Sequence, residues 1–275
     1  MADTVTLCCS EGDSATINLF GATVTSWKCR GHKELLFVSE KAITDGSKPI
    51  RGGIPIVFPN FGPWDLGPQH GFARVCKWSV ASNTQDCSPS ACFILEDSDF
   101  TRSMWDHRFR LTYQVTVERQ KLSTRLTIEN KDTKPFDFTT LLHTYFRIPD
   151  VTKTTVTGLR GASYVDKLQN GDICKETRDF VQVDCHTDRV YMDTASSHRL
   201  SNSPCDGDII IDKHNLPDTV LWNPWEEKAE KMSDFGNDEY PNMLCVEAGY
   251  VSKRFLLQPG ESFNCGQTFT CAPKE

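Results

Sequence analysis

The chain contains 275 residues and carries a formal net charge of −7. This length suits one large all-β domain or two small ones, and roughly three-quarters of the unfolded surface can be buried on folding. The acidic balance excludes the basic footprint of a protein that binds nucleic acid or anionic membranes, and no apolar run approaches the roughly 20 residues that a membrane helix requires.

Alternation of apolar and polar residues with a period of two dominates the chain. It is clearest where Phe109–Val117 is followed by Leu122–Glu129, which predicts two half-buried antiparallel strands joined by a short turn around residues 119–121. Similar segments follow one another at Thr4–Cys9, Ala15–Leu19, Ala22–Lys28, Lys77–Ala81, Thr139–Phe146, Lys153–Leu159, Ile209–Lys213, Thr219–Asn223, Asn242–Gly249, Arg254–Gln258 and Ser262–Cys271. Many strands with short polar connections predict an all-β sandwich or barrel, and a single domain over residues 1–275 is the simplest organisation.

Two segments depart from the strand pattern. The loop Pro59–Pro68 is stiffened by prolines and carries the aromatic residues Phe61 and Trp64, so we expect it to pack over another part of the protein or over a ligand. A helix is predicted over Trp225–Asp234, because Asn223 can cap it and a proline fits its first position.

The chain has 12 cysteines, but they form no Cys-x-x-Cys pair and no Cys/His group with the spacing of a structural zinc site. Most lie inside apolar, strand-like segments, which indicates small buried hydrophobic residues in a reducing compartment. The segment Met1–Leu7 has neither a basic stretch nor an apolar core, so we expect no signal peptide and a cytoplasmic protein. The cysteine spacing leads us to expect no metal site.

Three segments place ionisable or polar side chains in apolar settings. Period two puts His143 on the more polar face of its strand, and it puts Glu247 on a face with small neighbours. The segment Gln69–Arg74 brings an amide, an imidazole and a guanidinium into six residues. Ionisable groups avoid such settings unless they are paired or used. The three segments therefore predict a site for proton transfer on a polar or anionic small molecule.

Each candidate also has an ordinary structural explanation. His143 could be a core histidine bonded to the backbone, and Glu247 could belong to an ion pair. His70 precedes a glycine and could stabilise a turn. Three others could be surface charges or a residue at a strand start: Arg51, Arg74 and Asp188.

Taken together, these short segments resemble those of the glucose-6-phosphate 1-epimerases. This subgroup of the aldose 1-epimerase-like proteins includes plant relatives once called apospory-associated. The similar segments, which follow the order seen in the family, are Arg51–Pro59, Gln69–Arg74, Leu142–Phe146, Asp188–Tyr191, Val220–Trp225, Asp234–Gly236 and Cys245–Ala248.

The resemblance implies a galactose-mutarotase-like β-sandwich with the sugar bound across one concave sheet, and with one or a few short helices. It implies that His143 and Glu247 are the catalytic pair. It also implies that the substrate is bound by Arg51, Gln69, Arg74 and Asp188. We add His70 as a further residue that binds the sugar.

The expected activity is a hexose-6-phosphate mutarotase that interconverts the α and β anomers of glucose 6-phosphate by opening and closing the ring. A carboxylate base and an imidazolium acid are the minimal set for this reaction, so we expect no metal and no organic cofactor. Two alternatives remain at this point, an aldose 1-epimerase acting on unphosphorylated hexoses and a non-catalytic carbohydrate-binding sandwich. The expected partner is a small-molecule hexose phosphate, with neither nucleic acid nor membrane, and a monomer is the simplest state.

Overall fold

The computed structural model describes residues 3–29, 33–81 and 88–273. Within these ranges the strands are β1 (Thr4–Cys8), β2 (Ser14–Asn18), β3 (Thr23–Cys29), β4 (Lys33–Glu34), β5 (Ile56–Val57), β6 (Ser79–Val80), β7 (Ser90–Glu96), β8 (Phe109–Glu118), β9 (Lys121–Asn130), β10 (Phe136–Leu142), β11 (Tyr145–Arg147), β12 (Thr155–Val156), β13 (Ser163–Asp166), β14 (Asp172–Lys175), β15 (Val181–Gln182), β16 (Thr187–Met192), β17 (Ser197–Ser203), β18 (Gly207–His214), β19 (Asp218–Asn223), β20 (Met243–Leu257) and β21 (Ser262–Pro273). Two short α-helices, α1 (Asp99–Met104) and α2 (Trp225–Ala229), accompany them, with single 3₁₀ turns at Ala73–Val75, Val151–Lys153 and Tyr240–Asn242.

The named strands pair antiparallel in three sheets. The smallest sheet has the order β1-β2-β3-β4. An eight-stranded sheet has the order β14-β13-β16-β19-β20-β10-β5, with β11 also pairing with β20. A nine-stranded sheet has the order β15-β12-β17-β18-β21-β9-β8-β7-β6. The all-β class predicted from the alternation is therefore confirmed, and of the two predicted architectures, sandwich and barrel, the structure adopts the antiparallel sandwich.

The main core lies between the two large sheets, and period-two burial explains it. Along β8 and β9 every second side chain is buried, as the apolar/polar alternation requires of a sheet with one face in the core. Both strands begin and end within two residues of the predicted limits. One cluster of buried residues extends from Leu7 to Cys271, so both chain ends contribute to the same core.

The predicted helix Trp225–Asp234 is wrong in its length, because α2 ends at Ala229. The predicted cap is also wrong by one residue, because Pro224 takes the N-cap position and Trp225 is the first helical residue. Asn223 precedes the cap, and its Oδ1 accepts a hydrogen bond from the Trp225 N–H at 2.8 Å. Beyond α2 the buried Phe235 ring packs against Phe37, with ring centroids 5.6 Å apart. Burying Phe235 draws the chain inward and overrides the helical propensity of this segment.

Three further differences from the sequence expectations concern chain geometry. The strand predicted over Thr139–Phe146 is interrupted at residues 143–144, and the one predicted over Lys153–Leu159 is reduced to β12. Helix α1 was missed, although Ser98 and Thr101 form a reciprocal capping box at its start, which is a sequence signal for a helix N-terminus. No helix in the described ranges combines the length and the apolar character needed to cross a bilayer.

Candidate active site

A cavity of about 250 Å³ lies on the face of the eight-stranded sheet that is turned away from the main core. Its lining residue Val220 belongs to a small separate apolar cluster, whereas the next residue, Leu221, belongs to the main core. The loop 59–68 reaches this cavity through Phe61, so it packs where a ligand would lie. Six of the seven predicted site residues line it: Arg51, Gln69, His70, His143, Asp188 and Glu247.

A larger groove of about 480 Å³ lies on the nine-stranded sheet. Its carboxylates, Glu118 and Asp212, are exposed to solvent. An acid–base site needs groups whose proton affinity is shaped by burial. The larger groove contains the buried Lys213 and Cys265, but only the smaller cavity brings a buried carboxyl and a buried imidazole together.

Strand register brings His143 and Glu247 together. Leu142 lies opposite Ala248, and Tyr145 lies opposite Cys245, so His143 stands directly across from Glu247. The Nδ1 of His143 is 3.4 Å from the Oε2 of Glu247. Both atoms are buried, and neither makes a hydrogen bond. The alternation assigned each residue only to a face of its own strand, and the register joins the two faces in a cross-strand pair.

Aromatic rings hold the His143 imidazole in position. It stacks on the Tyr145 ring with centroids 4.7 Å apart and an interplanar angle of 10°. Trp222 meets it edge-on at 6.2 Å, and His70 does so at 5.8 Å. Its backbone N–H donates to the carbonyl oxygen of Pro55 at 2.9 Å. The imidazole is therefore fixed by packing, while Nδ1 is left for chemistry.

Burial moves the two proton affinities in opposite directions. Burial raises the pKa of Glu247 well above its usual value, and the nearby Asp188 carboxylate adds to the shift. Burial lowers the pKa of His143 well below its usual value, and His70, Arg74 and Arg51 add to that shift. Both changes favour the uncharged forms. The pair therefore tends to hold a single proton over the pH range between the two pKa values.

His70 combines the two roles considered from the sequence. Its φ of 67° lies in the left-handed region, and its Nδ1 accepts a hydrogen bond from the Gly62 N–H at 3.1 Å. This bond fixes the turn and assigns the proton to Nε2, which lies 3.4 Å from the side-chain amide of Gln69 in the cavity wall. Burial lowers the pKa of His70 well below its usual value, and nearby cations, Arg74 first, reinforce the shift. His70 is therefore a neutral donor.

The two arginines differ in their positions. Arg51 lines the cavity, where Nη2 and Nε lie 3.1 and 3.2 Å from the Asp234 carboxylate and Nη1 donates to the Tyr145 hydroxyl at 3.3 Å. Arg74 does not line the cavity. It lies behind Gln69 and donates from Nη2 to that residue's carbonyl oxygen at 2.8 Å. The structure therefore brings Arg51 to the cavity surface but not Arg74, and contact of either guanidinium with substrate stays a prediction.

Two lysines that sequence reasoning missed complete the charged lining. Lys167 lies 3.3 Å from the Asp188 carboxylate, and its ammonium sits 4.5 Å from the centre of the Phe61 ring. Lys228, on α2, is exposed at the rim of the cavity. Neither residue has a sequence signal of its own, because ordinary surface lysines occur in the same settings. Only the approach of β13 and α2 to the cavity reveals them.

The structure also assembles a group of potential metal ligands that no spacing rule in the sequence indicated. One ligand atom from each of His143, Cys245 and Glu247 lies within 4.8 Å of the other two, and all three residues are buried. Cys245 and Glu247 are two positions apart on β20, so they share a face. The expectation that the chain lacks any plausible ligand cluster is therefore wrong.

Comparison with known proteins identifies relatives along nearly the whole chain. Residues 3–270 match the family model described as aldose 1-epimerase. A "Putative glucose-6-phosphate 1-epimerase" of Cenchrus ciliaris is 37% identical over 265 residues, which cover 93% of this chain and 79% of that protein. A protein of the same name from Escherichia coli K12 is 31% identical over 242 residues, covering 87% of this chain and 80% of the relative.

Solved structures agree with this relationship. A "putative mutarotase" from Salmonella typhimurium superposes with a TM-score of 0.87 at 28% identity, covering 95% of this chain and 88% of that one. An aldose epimerase homologue from Caenorhabditis elegans superposes with a TM-score of 0.75 at 15% identity, covering 99% of both chains, and this likeness concerns the fold alone. The galactose-mutarotase-like sandwich is confirmed.

Proposed function

The chain belongs to the aldose 1-epimerase family and is an isomerase, and we propose that it interconverts the α and β anomers of a hexose 6-phosphate, with glucose 6-phosphate as substrate. The observation that carries the proposal is the buried cross-strand pair His143–Glu247 in the wall of a cavity that also holds cationic side chains. The printed names of the two relatives described above support the phosphorylated substrate.

Anomer exchange needs one proton acceptor and one proton donor. The base removes the proton of the C1 hydroxyl, O1 becomes the aldehyde oxygen, the C1–O5 bond breaks, and the acid protonates O5. Rotation about C1–C2 presents the other carbonyl face, and the same steps in reverse close the ring. We assign Glu247 as the base at O1 and His143 as the acid at O5, each contributing roughly 10²–10⁴-fold in rate.

The proton count of the pair suits this cycle. The uncharged resting form has a protonated Glu247 beside a neutral His143, which is the same number of protons as a carboxylate beside an imidazolium. Transfer of one proton across the 3.4 Å between Oε2 and Nδ1 converts the first form into the second. A raised pKa makes the Glu247 carboxylate a stronger base, and a lowered pKa makes the His143 imidazolium a stronger acid. Ring opening requires both.

Cations around the cavity provide a subsite for the phosphate. Arg51 presents a guanidinium to the cavity, and Lys167 and Lys228 add two ammonium groups. Guanidinium and ammonium groups bind phosphate through charge-assisted hydrogen bonds. This local positive charge opposes the net charge of −7 of the chain. Arg74 then serves as a positioning residue that holds Gln69 in the wall.

Ring hydroxyls would be recognised by neutral and anionic groups in the cavity wall. Asp188 offers two acceptor oxygens, and Gln69 and the Nε2 of His70 offer donors. Trp222 and Phe61 add aromatic surface to the cavity lining. These groups fit a hexose with or without phosphate, and the unphosphorylated aldose is the second candidate substrate.

Exchange spectroscopy at equilibrium tests the proposal directly. Anomer exchange rates are measured with glucose 6-phosphate and with glucose, each against the spontaneous rate in the same buffer. We expect the purified protein to accelerate the exchange of glucose 6-phosphate more than that of glucose. Equal acceleration would favour the second candidate, and binding without acceleration would favour a non-catalytic carbohydrate-binding protein.

Three further expectations belong to this proposal. We propose a single domain, because one buried cluster includes residues from Leu7 to Cys271. We propose a cytoplasmic location, because several cysteines are buried inside strands, as expected of small hydrophobic residues in a reducing compartment: Cys29, Cys245, Cys265 and Cys271. We also propose a monomer that needs no cofactor, since the acid–base pair suffices for the reaction.

A further inference from the structure

We propose that His143, Cys245 and Glu247 form a binding site for Zn²⁺, and that an ion bound there blocks the catalytic pair. The metal site is independent of the sugar chemistry, whereas the inhibition rests on the function proposed above. The observation behind both is that a nitrogen, a sulfur and an oxygen donor converge at the substrate cavity, two of them from residues that line it.

The separations fit zinc. Bonds of about 2.0–2.3 Å in tetrahedral geometry separate ligand atoms by roughly 3.3–3.6 Å. The Nδ1 of His143 and the Oε2 of Glu247 are already 3.4 Å apart. The third donor, from Cys245, lies within 4.8 Å of the other two, so a shift of about 1 Å completes three corners of a tetrahedron.

Two of these donors are buried atoms without partners. Nδ1 of His143 and Oε2 of Glu247 make no hydrogen bond, although less than a tenth of either residue is exposed. A buried polar atom without a partner is costly. One divalent ion would satisfy both atoms, and its charge would balance a carboxylate and a thiolate that are otherwise costly to bury.

The remaining corner of the tetrahedron points to a route for entry. His143 and Glu247 line the cavity, so an ion can reach them from solvent, while Cys245 lies two positions before Glu247 on the same face of β20 and is fully buried. Three protein ligands leave the fourth position to water or to a sugar oxygen. Because the ion occupies the atoms that move protons, sugar and Zn²⁺ should compete.

Cobalt titration of the full chain tests the site without any activity. Co²⁺ adopts the same tetrahedral site with lower affinity than Zn²⁺, and its bond to a thiolate gives a charge-transfer absorption. We expect one saturable equivalent, displaced by Zn²⁺, lost in Cys245→Ser and retained in Cys265→Ser. Cys265 is the matched control, since it is a buried cysteine of β21 in the main core. The absence of the absorption, or its equal strength in Cys245→Ser, would overturn the site.

A second variant covers the case in which Cys245→Ser fails to fold. Glu247→Gln keeps the thiol and the shape of the side chain but removes the anionic ligand. Its affinity for Zn²⁺, measured by competition with a chromophoric chelator, should fall at least about tenfold. An unchanged affinity would contradict the assignment of Glu247 as a ligand.

Inhibition is tested as the ratio of exchange rates with and without one equivalent of Zn²⁺, measured within each protein. We expect the wild type to lose its activity, to recover it with a chelator, and to be protected by glucose 6-phosphate, while Cys245→Ser is much less sensitive. If the wild type shows no anomer exchange at all, the proposed function fails and the cobalt spectrum still decides the metal site. If exchange persists at saturating Zn²⁺, the inhibition is refuted alone.

Discussion

Replacing Glu247 with glutamine separates catalysis from folding more sharply than any other single change in this protein. The amide has the size and shape of the carboxyl group but cannot accept the proton of the C1 hydroxyl. Positioned acid–base groups contribute roughly 10²–10⁴-fold in rate. The exchange of glucose 6-phosphate should slow by that factor, which corresponds to about 3–5 kcal/mol in the activation free energy.

The same change should not destabilise the fold. The Oε2 of Glu247 makes no hydrogen bond that the amide would lose, and burial holds the pKa of the carboxyl well above its usual value. A group with such a raised pKa reduces stability above its unfolded pKa, because the unfolded chain ionises and the folded chain resists ionisation. Glutamine does not titrate, so the free energy of unfolding at pH 7 should stay equal or increase.

A matched control is available at Glu176, which is also buried. Its carboxylate accepts hydrogen bonds from Arg178 Nε and Nη2, both at 2.8 Å, and from the Tyr191 hydroxyl at 3.0 Å. Glu176→Gln should therefore lose about 1.5–3 kcal/mol of stability and keep its exchange rate, the reverse of Glu247→Gln. Urea unfolding and exchange spectroscopy on both variants provide the four values. Near-normal turnover in Glu247→Gln would refute the assignment of the base.

Three other outcomes are expected. Arg51→Met should raise KM about tenfold to a hundredfold for glucose 6-phosphate and much less for glucose, and equal effects on both sugars would rule out a phosphate role. The value of kcat/KM should be constant over the pH range in which the His143–Glu247 pair holds one proton. It should fall below pH 6.5, where His143 adds a second proton to the pair, and at alkaline pH, where Glu247 releases the one that remains. A fall that already begins at or above pH 6.5 on the acid side would contradict this. Burial, with Lys213 nearby, lowers the pKa of His198 to about 4. Between pH 6.5 and 4 the unfolded chain therefore binds more protons than the folded chain. The free energy of unfolding should fall by about 3 kcal/mol as the pH drops through that window. Urea unfolding at several pH values should show a flatter profile in His198→Asn, and an identical slope in the variant would exclude this source.

Much of the fold follows from one physical rule, the alternation of buried and exposed side chains along a strand. The limits of β8 and β9 could be predicted closely because each strand has one face in the core and one in water. The helix α2 could not, because its length is set by the burial of Phe235, a tertiary contact that no local pattern contains. Local propensity is a weak guide where packing competes with it.

The candidate site likewise contains residues that could be predicted from the sequence and residues that could not. The faces of the strands that carry His143 and Glu247 could be read from the sequence, because a period of two assigns each side chain to a face. Lys167 and Lys228 could not be found, since their approach to the cavity depends on how β13 and α2 are placed. Arg74 lies within the same short segment as His70, yet its guanidinium contacts the Gln69 carbonyl oxygen and does not line the cavity. Proximity in sequence does not fix the direction of a side chain.

The register that β10 and β11 share against β20 explains how two residues about a hundred positions apart become a proton-transfer pair. The N–H of His143 donates to Pro55, on the side away from β20, and the N–H of Thr144 donates back to Leu142 instead of across to β20. His143 and Glu247 therefore face each other without backbone hydrogen bonds between them, the arrangement in which opposite side chains approach most closely. A continuous ladder with the register shifted by one residue would turn one of the two side chains into the main core. The register is unchanged across the break, with Leu142 opposite Ala248 and Tyr145 opposite Cys245, and this register keeps imidazole and carboxyl on the cavity side at 3.4 Å.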